Sequence, residues 1–137
     1  MGEGHTSTIL TFHRGPNQKV IGFSFFDGDS FKMEHGEGNR HFFDGILSNL
    51  KLIPQFYPGW IMRLYHDLNE NDSRFKRLCE MACNYDYLDI CNSKNLPGVP
   101  IKDASKIFGM DWRFFPVLDP QVIIFLLFHI SQNNMRV

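Results

Sequence analysis

Little in this sequence departs from ordinary composition, and each shortage closes off a class of protein. Net charge is only −1, with 14 Lys and Arg against 15 Asp and Glu. There is no electrostatic case for nucleic acid or an anionic membrane surface. Cysteine is scarce and odd in number: Cys79, Cys83 and Cys91. Three thiols make no secreted disulfide framework, so a reducing compartment is expected. No C-x-x-C pair is present. Cys79 and Cys83 share a helix face, and a zinc site with Cys91 and His66 competes with the simpler reading of small buried hydrophobes, which we prefer.

Long hydrophobic runs are missing as well. The longest, Val122 to Ile130, falls far short of the ~20 residues a bilayer-crossing helix needs. The amino terminus, Met1-Gly2-Glu3-Gly4-His5-Thr6, has no apolar leader core. It fits the loose myristoylation pattern, but no polybasic second signal follows. The expected location is therefore cytoplasmic as written. The secretory pathway is the alternative if an upstream targeting segment precedes this chain, and only then would the sequon Asn71-Asp72-Ser73 matter. There is no low-complexity tract and no internal repeat.

What is present is an aromatic-rich chain of 137 residues, with 14 Phe and 43% hydrophobic residues. That is one domain with a substantial core. Residues 1 to 18 read as a flexible arm, 19 to 130 as the domain and 131 to 137 as a polar tail. Lys19 to Phe26 is nearly continuous apolar, as a strand covered on both faces would be. Thr8 to Phe12 has the pattern of a short edge strand. Asn39 is placed to cap a helix from Arg40 to about Gln55, with Phe42, Phe43, Ile46, Leu47, Leu50 and Ile53 on one face and Pro54 closing it. Trp60 to His66 is a second strand. Asp72 or Ser73 caps a helix from Arg74 to about Asn84, with Phe75, Leu78, Cys79 and Ala82 inward. Tyr87 to Cys91 alternates and reads as a less buried strand. Ser105 to Phe115 is a third helix stopped at Pro116, and Val122 to Ile130 a fourth, central strand. The order β-α-β-α-β-α-β predicts an α/β fold: a Rossmann-like three-layer α/β/α arrangement with a mostly parallel sheet and right-handed crossovers.

Candidate chemistry is sparse. Asp27-Gly28-Asp29 has the look of an acidic metal pair at a strand end, but turn preference explains it better. Gly36-Glu37-Gly38 lacks the third glycine of a dinucleotide fingerprint, since position 41 is His41. His35 and His41 read as exposed loop histidines. Asp67, just after the second strand, stands where open α/β sheets hydrogen-bond a ribose, and where turns also favour Asp. Arg113, among Trp112, Phe114 and Phe115, is either paired internally or aimed at an anionic group such as a diphosphate.

Several of these words together resemble a known family. They are Phe23-Ser24-Phe25-Phe26, Gly45 and Asn49 on the helix, Tyr57-Pro58-Gly59-Trp60 leading into Arg63-Leu64-Tyr65-His66-Asp67, Gly109-Met110-Asp111-Trp112-Arg113-Phe114, and Leu118-Asp119-Pro120. Over about residues 20 to 122 the chain resembles glycosyltransferase-like proteins of the nucleotide-diphospho-sugar transferase (GT-A) fold. The resemblance implies a nucleotide-sugar donor, with Ser24, Phe25 and Asp67 facing the nucleotide and Arg113 the diphosphate. It also implies Mn2+ or Mg2+ in full-length relatives, held by an acidic Asp-x-Asp-type motif after the strand that follows Asp-Pro. Here Ile123 to Ser131 is apolar and Gln132 to Val137 supplies no carboxylate. The expectation is a partial GT-A fold without its cation and without transferase activity as written. An exon difference, a frameshift or a misplaced gene end would each produce that pattern. The alternative is a non-enzymatic α/β interaction domain that self-associates through an exposed sheet edge.

Overall fold

A computed structural model describes residues 14–25, 38–94 and 109–127, with side chains at 14–25, 42–94 and 111–123. Expectations for Thr8 to Phe12, Asp27-Gly28-Asp29, His35 and the start of the third helix lie outside the described residues. So do those for the side chain of His41, residues 128 to 130 of the fourth strand, and the tail.

The described elements are strand β1 (Gln18–Phe25), helix α1 (Gly38–Phe56), strand β2 (Ile61–His66), helix α2 (Ser73–Asn84), strand β3 (Leu88–Asn92), a 3-10 helix (Gly109–Leu118) and strand β4 (Val122–Leu127). The four strands form one sheet in the order β3-β2-β1-β4. Every pairing is parallel. This is a Rossmann-like α/β fold. The chain moves outward from β1 to β3 and then returns to the far side of β1. With right-handed crossovers, that reversal sends the later connection to the opposite face of the sheet.

The two faces are built differently. Ile21, Phe23 and Phe25 of β1 join Met62 and Leu64 of β2, Leu88 and Ile90 of β3, and the inner stripes of α1 and α2 in one dry core. Phe43, Ile46, Leu50 and Ile53 provide the α1 stripe, spaced as one helix face requires. On α2 the buried residues are Leu78, Met81 and Ala82. Phe75 and Cys79 pack only at the margin. The other face carries Gly22 and Ser24 of β1, Arg63 and Tyr65 of β2, and Asp89 and Cys91 of β3, because alternate residues along a strand point to opposite sides. The 3-10 helix covers that face with Trp112 and Phe115, both buried. Phe115 meets Tyr65 edge to face at 5.4 Å.

Several boundaries differ from those expected, each for a physical reason. Helix α1 begins at Gly38, so Asn39 lies within it rather than capping it. It also continues past Pro54 to Phe56. A proline at 54 cannot donate to the carbonyl of Leu50, one turn back. That carbonyl instead accepts a hydrogen bond from the Tyr87 hydroxyl. β3 is buried at four of its five positions. On its polar face Asp89 is covered by ion pairing rather than exposed to water. The 109–118 segment is a 3-10 helix that passes through Pro116 and ends at Leu118. β4 pairs only with β1 and so borders the described sheet instead of lying at its centre.

Candidate functional site

Open parallel sheets bind ligands beyond the carboxyl ends of their strands, where the winding order reverses. Here the reversal falls between β1 and β4, so the candidate site lies at the carboxyl end of β1. The 3-10 helix is fixed there by two contacts. The Arg113 backbone N–H donates to Ser24 Oγ at 3.0 Å. One pleat earlier, the Arg113 carbonyl approaches Gly22 so closely that a Cβ at that position would collide with it. Gly22 is thus required by proximity to another backbone.

The Arg113 side chain is half-buried. Its guanidinium lies over the Phe114 ring at 5.5 Å, and that ring is 41% exposed. Its Nε is buried and has no hydrogen-bond partner among the described residues. A desolvated cationic donor without an acceptor is costly unless something anionic completes it. The arrangement offers a charged fork beside an exposed aromatic face, suited to an anion carried on a planar group.

The four residues picked from sequence are not all brought together. Ser24 and Arg113 meet. Asp67 follows β2 at the same edge of the sheet and is half-buried. Phe25 is not brought together with them. Its side chain is 2% exposed and packs in the dry core against Phe42 and Phe43, at 5.5 and 5.6 Å between ring centres. Its ring therefore lies on the opposite face of the sheet from Ser24.

Next to Asp67, His66 is 1% exposed. Its Nδ1 accepts the Leu68 N–H at 3.1 Å, and its ring tilts against Phe75 at 5.4 Å. Its carbonyl accepts from both the backbone and the hydroxyl of Ser93, at 2.7 and 3.0 Å. Burial, with help from the Lys94 charge, pulls its pKa down to about 4. His66 is therefore a neutral acceptor that holds the β2–α2 turn, not a proton carrier near neutral pH.

A buried charge cluster occupies the amino half of the same face, and sequence reading missed it. Arg63 is 1% exposed. It donates to Asp89 at 3.3 and 3.4 Å, to Asp119 at 2.8 Å and to Gln18 at 2.6 Å. Arg14 donates to the other Asp89 oxygen at 2.9 Å and to the Asp86 carbonyl. Burial opposes the Arg63 charge, but Cys91, Tyr65, Asp89 and Asp119 outweigh it and raise the Arg63 pKa further. Tyr65 is raised as well, mainly by burial. An Arg in the middle of an apolar strand was the available signal, since such a residue must be paired. The register that places Arg63 beside Asp89 supplies the partner.

Among the described residues no group of three His, Cys, Asp or Glu side chains is placed to hold a metal ion. The cation implied by the family resemblance therefore finds no seat in them. No helix among the described residues is long and apolar enough to cross a membrane. No protein-family description, characterised protein or solved structure matches this chain.

Proposed function

We propose that this domain binds a nucleoside-diphosphate sugar at the carboxyl end of β1, as the donor-recognition half of a glycosyltransferase-like protein. The observation that carries the reading is Arg113. It is anchored through its backbone to Ser24 at the winding reversal, its Nε is buried without an acceptor among the described residues, and its guanidinium is backed by a part-exposed ring. In this reading the Arg113 guanidinium takes the diphosphate, Phe114 flanks it, and Asp67 at the neighbouring strand end takes a ribose hydroxyl. Phe25 only backs the strand. No chemical step is assigned to the described residues.

The test is a thermal-shift titration of the full chain with UDP-glucose, with and without Mn2+. Saturable stabilisation is expected, growing with ligand concentration as binding to the native state requires. Arg113→Ala should weaken it by at least about tenfold, the usual scale for losing a charge-assisted hydrogen bond. No shift at millimolar ligand, or a shift that Arg113→Ala leaves intact, refutes donor binding.

A second reading, an interaction domain, is favoured by one observation. Phe114, Val117, Leu118 and Ile123 are exposed apolar side chains on the 3-10 helix and on the bordering strand β4. Such a border recruits another chain when nothing covers it. Sedimentation of the full chain over a wide concentration range separates the readings: concentration-dependent association that Ile123→Lys abolishes supports this one.

A further inference from the structure

The opposite end of the sheet holds a cleft, of about 450 Å³, between the turn that enters β1 and the turn that enters β2. Arg14, Pro16, Asn17, Gln18, Lys19, Gly59 and Ile61 line it. Two of these are cations and none is a carboxylate. Lys19 is exposed and makes no ion pair among the described residues.

Arg14 is held rigidly. Its Nε and one terminal nitrogen are committed to Asp89 and to the Asp86 carbonyl. Asp89 is in turn held from behind by Arg63. Its side chain is still 22% exposed, so the guanidinium retains N–H groups for a ligand. Gln18 ties the turn to both sides, donating to the Gly15 carbonyl at 2.7 Å and accepting from Arg63. The charges of the buried pair Arg63 and Asp89 and of the part-exposed Arg14 and Asp119 cancel, which leaves Lys19 as the uncompensated charge at the mouth among the described residues.

We propose that this amino-edge cleft binds a small phosphomonoester. A phosphate head answers the uncompensated Lys19 charge and offers acceptors enough for the remaining Arg14 N–H groups and the Lys19 ammonium together. The volume exceeds what a bare ion needs and falls in the range of small-molecule sites. Pro16 and Ile61 give the organic body an apolar wall. The site is separate from the carboxyl edge and does not depend on the donor-binding reading.

The experiment is an amide-resolved NMR titration of the full chain with glycerol 3-phosphate, with glycerol and sodium chloride as controls at equal ionic strength. Saturable shifts confined to the amides of Gly15, Asn17, Gln18, Lys19, Gly59 and Ile61 are expected. Lys19→Glu, an exposed position that leaves the fold intact, should weaken binding at least about tenfold. Non-saturating shifts, shifts that Lys19→Glu does not alter, shifts gathered at Ser24 and Arg113 instead, or equal binding of glycerate would each overturn the proposal.

Discussion

At the scale of single residues, two positions carry requirements that a conservative change violates. Gly22 accepts the close approach of the Arg113 carbonyl, so Gly22→Ala must push the 3-10 helix off β1. The neighbour is backbone and cannot rotate away. We expect a loss of about 3 kcal/mol, at the upper end for overpacking, read by urea denaturation, together with loss of any donor binding. Gly22→Ala at wild-type stability would show that the 3-10 helix is not held there. His66 is the second. Its folded pKa, about 4, lies below the ordinary value of 6.5. The unfolded chain therefore binds the extra proton first, and stability falls as pH drops from about 6.5 toward 4. The shift corresponds to on the order of 3 kcal/mol. Stability measured at pH 7 and pH 4.5 should differ, and His66→Gln should flatten that slope. An unchanged slope would place the proton elsewhere.

At the scale of elements, α1 depends on a residue far along the chain. Its run past Pro54 relies on the Tyr87 hydroxyl reaching the Leu50 carbonyl. Tyr87→Phe leaves that carbonyl unpaired and should cost about 1 to 2 kcal/mol. In a Pro54→Ala background the helix supplies its own donor, so the same change should cost much less. Equal penalties in the two backgrounds would disprove the compensation. This contact also shows what the sequence concealed. The apolar stripe of α1, the cap at Asp72 and the strand at 61–66 follow from local spacing and were readable. Asp72 accepts the Arg74 N–H at 2.9 Å, and the Arg74 side chain holds its carboxyl below the usual range. The extension of α1 past Pro54 was not readable, because its donor is 37 residues from Leu50. The 3-10 geometry around Pro116 was hidden likewise: aromatic spacing marks a helical turn without fixing its pitch. At the candidate site, Arg113 was legible as a charge set among aromatics, whereas the hydrogen bond from its backbone to Ser24, 89 residues away, was not. The side to which Phe25 points was not, because a strand apolar on both faces carries no alternation to read.

At the scale of the whole molecule, one face of the sheet is sealed by hydrocarbon and the other is joined by ions. The Arg63 guanidinium on β2 touches Gln18 on β1, Asp89 on β3 and Asp119 at the entry to β4. Asp89→Asn should cost about 3 kcal/mol or more, because it strips a buried arginine of its main counter-charge. Replacing the two fully buried members, with Arg63→Met and Asp89→Leu, leaves only the part-exposed Arg14 and Asp119 to water and should recover much of the loss in equilibrium denaturation. A double variant no more stable than Asp89→Asn would mean that the ions, and not merely their mutual satisfaction, hold the sheet.

The partners that Arg63 joins lie 26, 45 and 56 residues away along the chain. A guanidinium that needs all of them cannot be satisfied until β4 docks, so we expect it to close after the rate-limiting barrier, with Asp89→Asn speeding unfolding in a stopped-flow chevron and an equal slowing of refolding counting against it. Weakening it then leaves the speed of assembly nearly untouched and shortens the lifetime of the assembled state. On that expectation the cluster is a clasp on a finished object, setting how long the native state lasts rather than how fast it forms.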